Sequence, residues 1–204
     1  MLRGLPEDGR APSSFSTLED RLTAWIALIG LSGAGKSEIA PLAAARLGLE
    51  AFDLDARVER EMGAAVATLI ETRGERAFRA LEVAALSDAL GGPDSKRGGV
   101  IALGAGALGS AEIRTLLKSS AFVVWLRVEP GTAAQRMGAG GAEARPLVRD
   151  EPERRLRELL EARAETYRAA ADAEVDTDGR TPAEVAEAVV RAWEARSGWG
   201  SSAS

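Results

Sequence analysis

Residues 30–37 read Gly30-Leu31-Ser32-Gly33-Ala34-Gly35-Lys36-Ser37, an octet of the form G-x-x-x-x-G-K-[ST]. Glycines at these positions let the backbone curl until several N–H groups point into one concavity. Upstream, Ala24-Trp25-Ile26-Ala27-Leu28-Ile29 is an unbroken apolar run, the pattern of a strand buried on both faces of a parallel sheet. Downstream, Ile39 to Leu47 reads as a helix, and Gly48 stands where a helix would end. Strand, loop and helix N-terminus together form an anion site, to which the helix dipole adds positive potential. The octet therefore predicts a nucleotide-phosphate loop with contacts from Gly30, Ser32, Gly33, Ala34, Gly35, Lys36 and Ser37. Lys36 would reach the β- and γ-phosphates, and the Ser37 hydroxyl would ligate Mg²⁺. A chance glycine-rich turn would not carry a strand before it and a helix after it.

Composition sets the frame for that loop. A chain of 204 residues predicts one domain with a full-sized core. Its 46% hydrophobic and 28% charged residues are ordinary for a globular protein, and no apolar run approaches the ~20 residues of a membrane span. The net charge of −5 argues against a nucleic-acid surface. Cys and His are both absent, which removes disulfides, thiol nucleophiles, imidazole bases and zinc sites of the usual kinds. Proton transfer falls to a carboxylate, Lys, Tyr or water. Residues 1–20 include Glu7, Asp8, Glu19 and Asp20, which speaks against a transit peptide, so the cytoplasm is the expected compartment.

Along the chain, residues 1–20 form a Pro/Gly/Ser-rich lead-in expected to be disordered, and residues 21–196 form the domain, followed by a frayed tail at 197–204. After the first helix, Ala51-Phe52-Asp53-Leu54-Asp55 reads as a short strand ending in two carboxylates. Strand alternation would put Asp53 and Asp55 on one side, facing the ligand crevice. Asp55 would also serve as the N-cap of the next helix, but two acids beside a phosphate loop favour Mg²⁺ and general-base roles. Residues 54–90 read as helical, broken near Gly63 and Gly74, and would carry the substrate-binding region. There Arg79 shares a helix face with Val83, Leu86 and Leu90. It either forms a structural ion pair with Glu82 or is fixed by Glu82 to bind an anionic substrate, and sequence leaves both open.

Val100 to Leu103 reads as a buried strand running into Gly104-Ala105-Gly106, a small-residue turn against which a ligand can lie. The turn has no carboxylate, so the metal acid must come from Asp53. A helix near Ala111 to Lys118 leads to a strand at Phe122 to Leu126. A short helix ending near Arg136 precedes a glycine-rich segment at 137–150 that reads as a lid bearing Arg145-Pro146, or else as a surface loop with solvated arginines. Glu151 to Ala171 is a long helix with Leu156, Leu160, Arg163 and Tyr167 on one face. A fifth strand, Ala173 to Asp176, precedes Thr181-Pro182-Ala183-Glu184, which has capping-box spacing and opens the last helix.

Taken together, these residues resemble the shikimate kinase family from about Ala24 to Ala195. The likeness rests on the phosphate loop, Phe52 to Asp55, Phe78-Arg79-Ala80-Leu81-Glu82, Gly104 to Gly106, Arg145-Pro146, Arg163 with Tyr167, and Asp176 to Arg180. It implies an α/β P-loop three-layer sandwich: a five-stranded parallel sheet with helices on both faces, a substrate-binding helical region and a lid. It implies transfer of the ATP γ-phosphate to the 3-hydroxyl of shikimate by a cytoplasmic monomer using Mg²⁺. By position, Ser37 and Asp53 would hold the metal, Asp55 would bind hydroxyls and accept the proton, and Arg79 and Arg163 would clamp the carboxylate beside Gly104, Ala105 and Gly106. Lys36 and Arg145 would stabilise the transferring phosphoryl group, with Arg136 and Pro182 flanking the adenine. Three positions depart from the family pattern: Ala105 replaces the middle glycine of the turn, Glu38 replaces a threonine near the α-phosphate, and Glu165 replaces a proline. These departures motivate two alternatives, a ligand-binding or regulatory module with weak turnover and a related small-molecule kinase such as one for gluconate.

Overall fold

The computed structural model describes residues 25–91, 98–138 and 151–196. The apolar run before the phosphate loop forms β1 (Trp25–Ile29), buried at every position. It is the middle strand of a five-stranded sheet in the order β2-β3-β1-β4-β5, in which each pairing is parallel. The other strands are β2 (Glu50–Asp53), β3 (Gly99–Ala102), β4 (Ala121–Arg127) and β5 (Ala173–Asp176). Trp25 pairs with Gly99 on one side and with Ala121 on the other. The chain leaves β1 toward β2 and β3 and returns past it to β4, so the end of β1 is the switch point where an open parallel sheet forms its ligand crevice.

Helices surround this sheet. α1 (Lys36–Leu47) packs on α8 (Pro182–Arg196), while α5 (Ala111–Ser120) and α7 (Pro152–Ala170) pack on β4. Between β2 and β3 lie α2 (Leu54–Met62), α3 (Val66–Arg73) and α4 (Glu75–Gly91), and α6 (Pro130–Gly138) follows β4. The expected breaks at Gly63 and Gly74 fall at the ends of α2 and α3. The capping box is formed: the Thr181 amide and hydroxyl donate to Glu184, and the Glu184 amide donates back to the Thr181 hydroxyl at 3.3 Å. The five-stranded parallel sheet and its helices agree with the expected fold class. Among the described residues no helix is long and apolar enough to cross a membrane.

Two local expectations need correction. The first helix begins at Lys36 rather than near Ile39, so Lys36 and Ser37 belong to its first turn. The second strand ends at Asp53, and Asp55 is already in the first turn of α2. Strand alternation therefore does not relate the two acids. Asp53 rather than Asp55 caps the helix, its Oδ1 accepting the Ala56 amide at 3.2 Å. The lead-in at 1–20, most of the lid with Arg145, and the tail at 197–204 lie outside the described residues.

Candidate functional site

Three chain segments meet at the carboxyl ends of β1, β2 and β3. The first is the phosphate loop. Gly33 takes φ 80°, and a Cβ there would press on the backbone of Ala133 in α6, so the loop packs directly on that helix. Lys36 is 9% exposed and folds back, its Nζ donating to the carbonyls of Gly30 at 2.9 Å and Leu31 at 2.7 Å. The ammonium is thus held by the loop it serves. Glu38 is exposed in the first turn of α1, next to exposed Ser37.

The second segment is the end of β2. The Ser37 hydroxyl donates to Asp53 Oδ2 at 2.5 Å, which joins the two expected metal ligands. Hydroxyl and carboxylate oxygens are hard donors suited to Mg²⁺, an ion that takes few protein ligands and completes its shell with phosphate and water. No cluster of three or more acidic side chains competes for that role among the described residues. The donor set fits the ion.

The third segment is the turn after β3, and it organises the rest. A Cβ on Gly104 would stand 2.6 Å from Asp55 Oδ1 and 3.1 Å from Glu82 Oε1. A Cβ on Gly106 would overlap Arg79 Nη2. These glycines are required because carboxylates and a guanidinium lie against bare backbone. The intervening Ala105 takes no positive φ, so its methyl group is unstrained. Its carbonyl accepts Arg163 Nη1 at 3.1 Å and the Tyr167 hydroxyl at 2.7 Å. Asp55, Arg79 and Arg163 thus reach one turn from α2, α4 and α7. Buried Tyr167 has its pKa raised by burial, which Arg163 partly offsets, so it stays a neutral donor.

Arg79 forms the ion pair that its spacing to Glu82 allowed. Its Nη1 donates to Glu82 at 2.6 Å and its Nη2 to Glu75 at 3.0 Å. Glu82 is wholly buried, and its Oε1 has no hydrogen-bond partner. Burial first, then the charges of Asp55 and Glu75, raise the Glu82 pKa from 4.5 to about 7 against the pull of Arg79. The pair is structural, and Arg79 still fronts an open cleft of about 930 Å³ that Ala105, Gly106 and Arg163 also line.

Arg136, expected beside the adenine, donates to the Thr177 hydroxyl at 3.0 Å and the Thr177 carbonyl at 2.7 Å, and reaches the Gly33 carbonyl at 3.5 Å. It bridges the phosphate loop and the segment that leads from β5 to Pro182, the first residue of α8. Sequence reasoning missed Glu75, which was legible from its i,i+4 spacing to Arg79. Thr177 lies in the family-like stretch Asp176 to Arg180, but nothing local signalled its bond to Arg136, 41 residues away.

A phosphate loop at a sheet's switch point, opposite a carboxylate and two arginines, makes this fold a P-loop kinase with a small anionic acceptor. The shikimate kinase family model matches residues 32–194. A shikimate kinase of Streptomyces coelicolor is 41% identical over 169 residues, 83% of this chain and 95% of that protein. One of Thermobifida fusca is 40% identical over 80% of this chain and 91% of its own length. Among solved structures, shikimate kinase from Acinetobacter baumannii in complex with shikimate superposes with TM-score 0.77 at 32% identity, covering 84% of this chain and 93% of its own. A gluconokinase from Sinorhizobium meliloti, at TM-score 0.57 and 17% identity, shares the fold alone. The chain belongs to the shikimate kinase family.

Proposed function

We propose that this chain transfers the γ-phosphoryl group of ATP to the 3-hydroxyl of shikimate, with the residues converging on Gly104–Gly106 as the acceptor site. The observation that carries the reading is that convergence: Asp55 against Gly104, Arg79 against Gly106, and Arg163 on the Ala105 carbonyl. A substrate with one carboxylate and several hydroxyls needs paired guanidiniums for its acid and a carboxylate for its hydroxyls. Asp55 orients the acceptor hydroxyl and takes its proton as the new P–O bond forms. Lys36 exchanges its two loop carbonyls for the β- and γ-phosphates, so its charge is already in place when nucleotide arrives. Ser37 and Asp53 would hold Mg²⁺, which neutralises phosphate charge when bound.

Arg145, from the lid, belongs to the same proposal as a second cation on the transferring group. Arg136 and Pro182 are proposed to border the nucleobase, with Arg136 fixing the loop that leads to Pro182. The acidic net charge supports an enzyme acting on small molecules rather than nucleic acid, and we take it to work in the cytoplasm as a monomer. A coupled assay for ADP tests the reading: turnover is expected only with ATP, shikimate and Mg²⁺ together. A folded protein that is inert with all three overturns it, and binding of shikimate without turnover would favour the regulatory alternative.

A further inference from the structure

Both terminal nitrogens of Arg79 are occupied, but by very different partners. Glu82, on Nη1, has no exposed side-chain surface, whereas Glu75, on Nη2, is 68% exposed. Nη2 is also the nitrogen that lies against Gly106, and Glu75, Arg79, Gly106 and Arg163 line one cleft. Arg79 has further N–H groups, but a carboxylate that pairs with Nη2 beside Gly106 competes with Glu75 for that side of the guanidinium. Removing Glu82 would expose a buried interaction, while Glu75 need only swing into solvent. We propose that Glu75 is a resident stand-in for the substrate carboxylate: it satisfies and aims Arg79 before substrate binds, and the acceptor's own carboxylate displaces it.

This inference rests on the acceptor-site reading above and adds a residue that sets affinity by competition. Glu75 is a positioning residue before substrate binds and a competitor once substrate is present. Apparent affinity falls by the fraction of molecules in which the fork is already taken. An exposed i,i+4 ion pair shifts such an equilibrium about twofold. Glu82 continues to hold Nη1 in a Glu75 variant, so Arg79 keeps its aim.

The test is calorimetric titration of shikimate into wild type, Glu75→Gln and Glu112→Gln. Glu112 lines the same cleft but bonds to Ser110 rather than to Arg79, so it reports the general effect of removing one negative charge. Glu75→Gln is expected to tighten shikimate about two- to threefold and to lower its KM with kcat maintained, while Glu112→Gln changes affinity by much less. The methyl ester of shikimate, which carries no charge to compete, is expected to bind wild type and Glu75→Gln equally. Unchanged or weaker shikimate binding in Glu75→Gln overturns the stand-in role, as does an equal gain in Glu112→Gln or with the ester. A wild type that binds no shikimate at all overturns the acceptor-site reading itself, and this inference with it.

Discussion

Replacing Glu82 by Gln should make the protein's stability less dependent on pH between about 5 and 8. Glu82 is wholly buried and its carboxyl pKa is raised from 4.5 to about 7. A carboxyl that binds its proton more tightly folded than unfolded stabilises the fold fully below the unfolded value. That contribution is lost as pH rises through the folded value. At about 1.36 kcal/mol per tenfold change in proton affinity, a displacement from 4.5 to about 7 is worth at most about 3 kcal/mol. Relaxation around Arg79, which is 24% exposed, brings the figure lower. Gln keeps an oxygen for the Arg79 fork and carries no charge toward Asp55, and Glu75 remains on Nη2, so the guanidinium is not stranded. Urea denaturation of both proteins from pH 5 to 8 measures the effect. Wild type should lose about 1–3 kcal/mol relative to Glu82→Gln over that window. A difference between the two that does not change with pH refutes the argument, because it would place the Glu82 proton outside this range.

Arg163→Ala should weaken shikimate binding by about 2–3 kcal/mol, the lower part of the range for losing half of a desolvated charge pair, because Arg163 is half-buried. Tyr167 still holds the Ala105 carbonyl, so unchanged affinity in a folded variant would remove Arg163 from the acceptor site. Ala105→Gly should leave shikimate turnover within about twofold and lower stability by about 0.5–1 kcal/mol, since the native backbone needs no positive φ there. A large rise in kcat/KM would show instead that the Ala105 methyl group crowds the substrate.

How far the sequence reaches can be judged residue by residue. The phosphate loop was legible because its chemistry is local: strand, glycines, lysine and helix lie within about two dozen consecutive positions. The strands followed from short apolar runs, and the buried stripe of α7, with Leu156 and Tyr167 inside, followed from helical spacing. Asp55 was placed on the wrong element because one peptide decides whether a chain leaves a strand, and Asp53 took the capping role that ended it. The ion-pair reading of Arg79 is met by Glu82, and its place on an open cleft leaves donors for the anion-binding reading. Why Gly104 and Gly106 must be glycine was invisible, because the groups that crowd them come from α2 and α4.

The position of β1 has a consequence for how the protein is made. Its partners are strands whose first paired residues, Gly99 and Ala121, leave the ribosome well after Trp25 does. A nascent chain that has just emitted the glycine octet has no neighbour on which to anchor it, and pairing across such sequence separations is slow. The nucleotide pocket is therefore a late product of synthesis, completed only after β4 has emerged, and chains released before that point would carry the motif without the site.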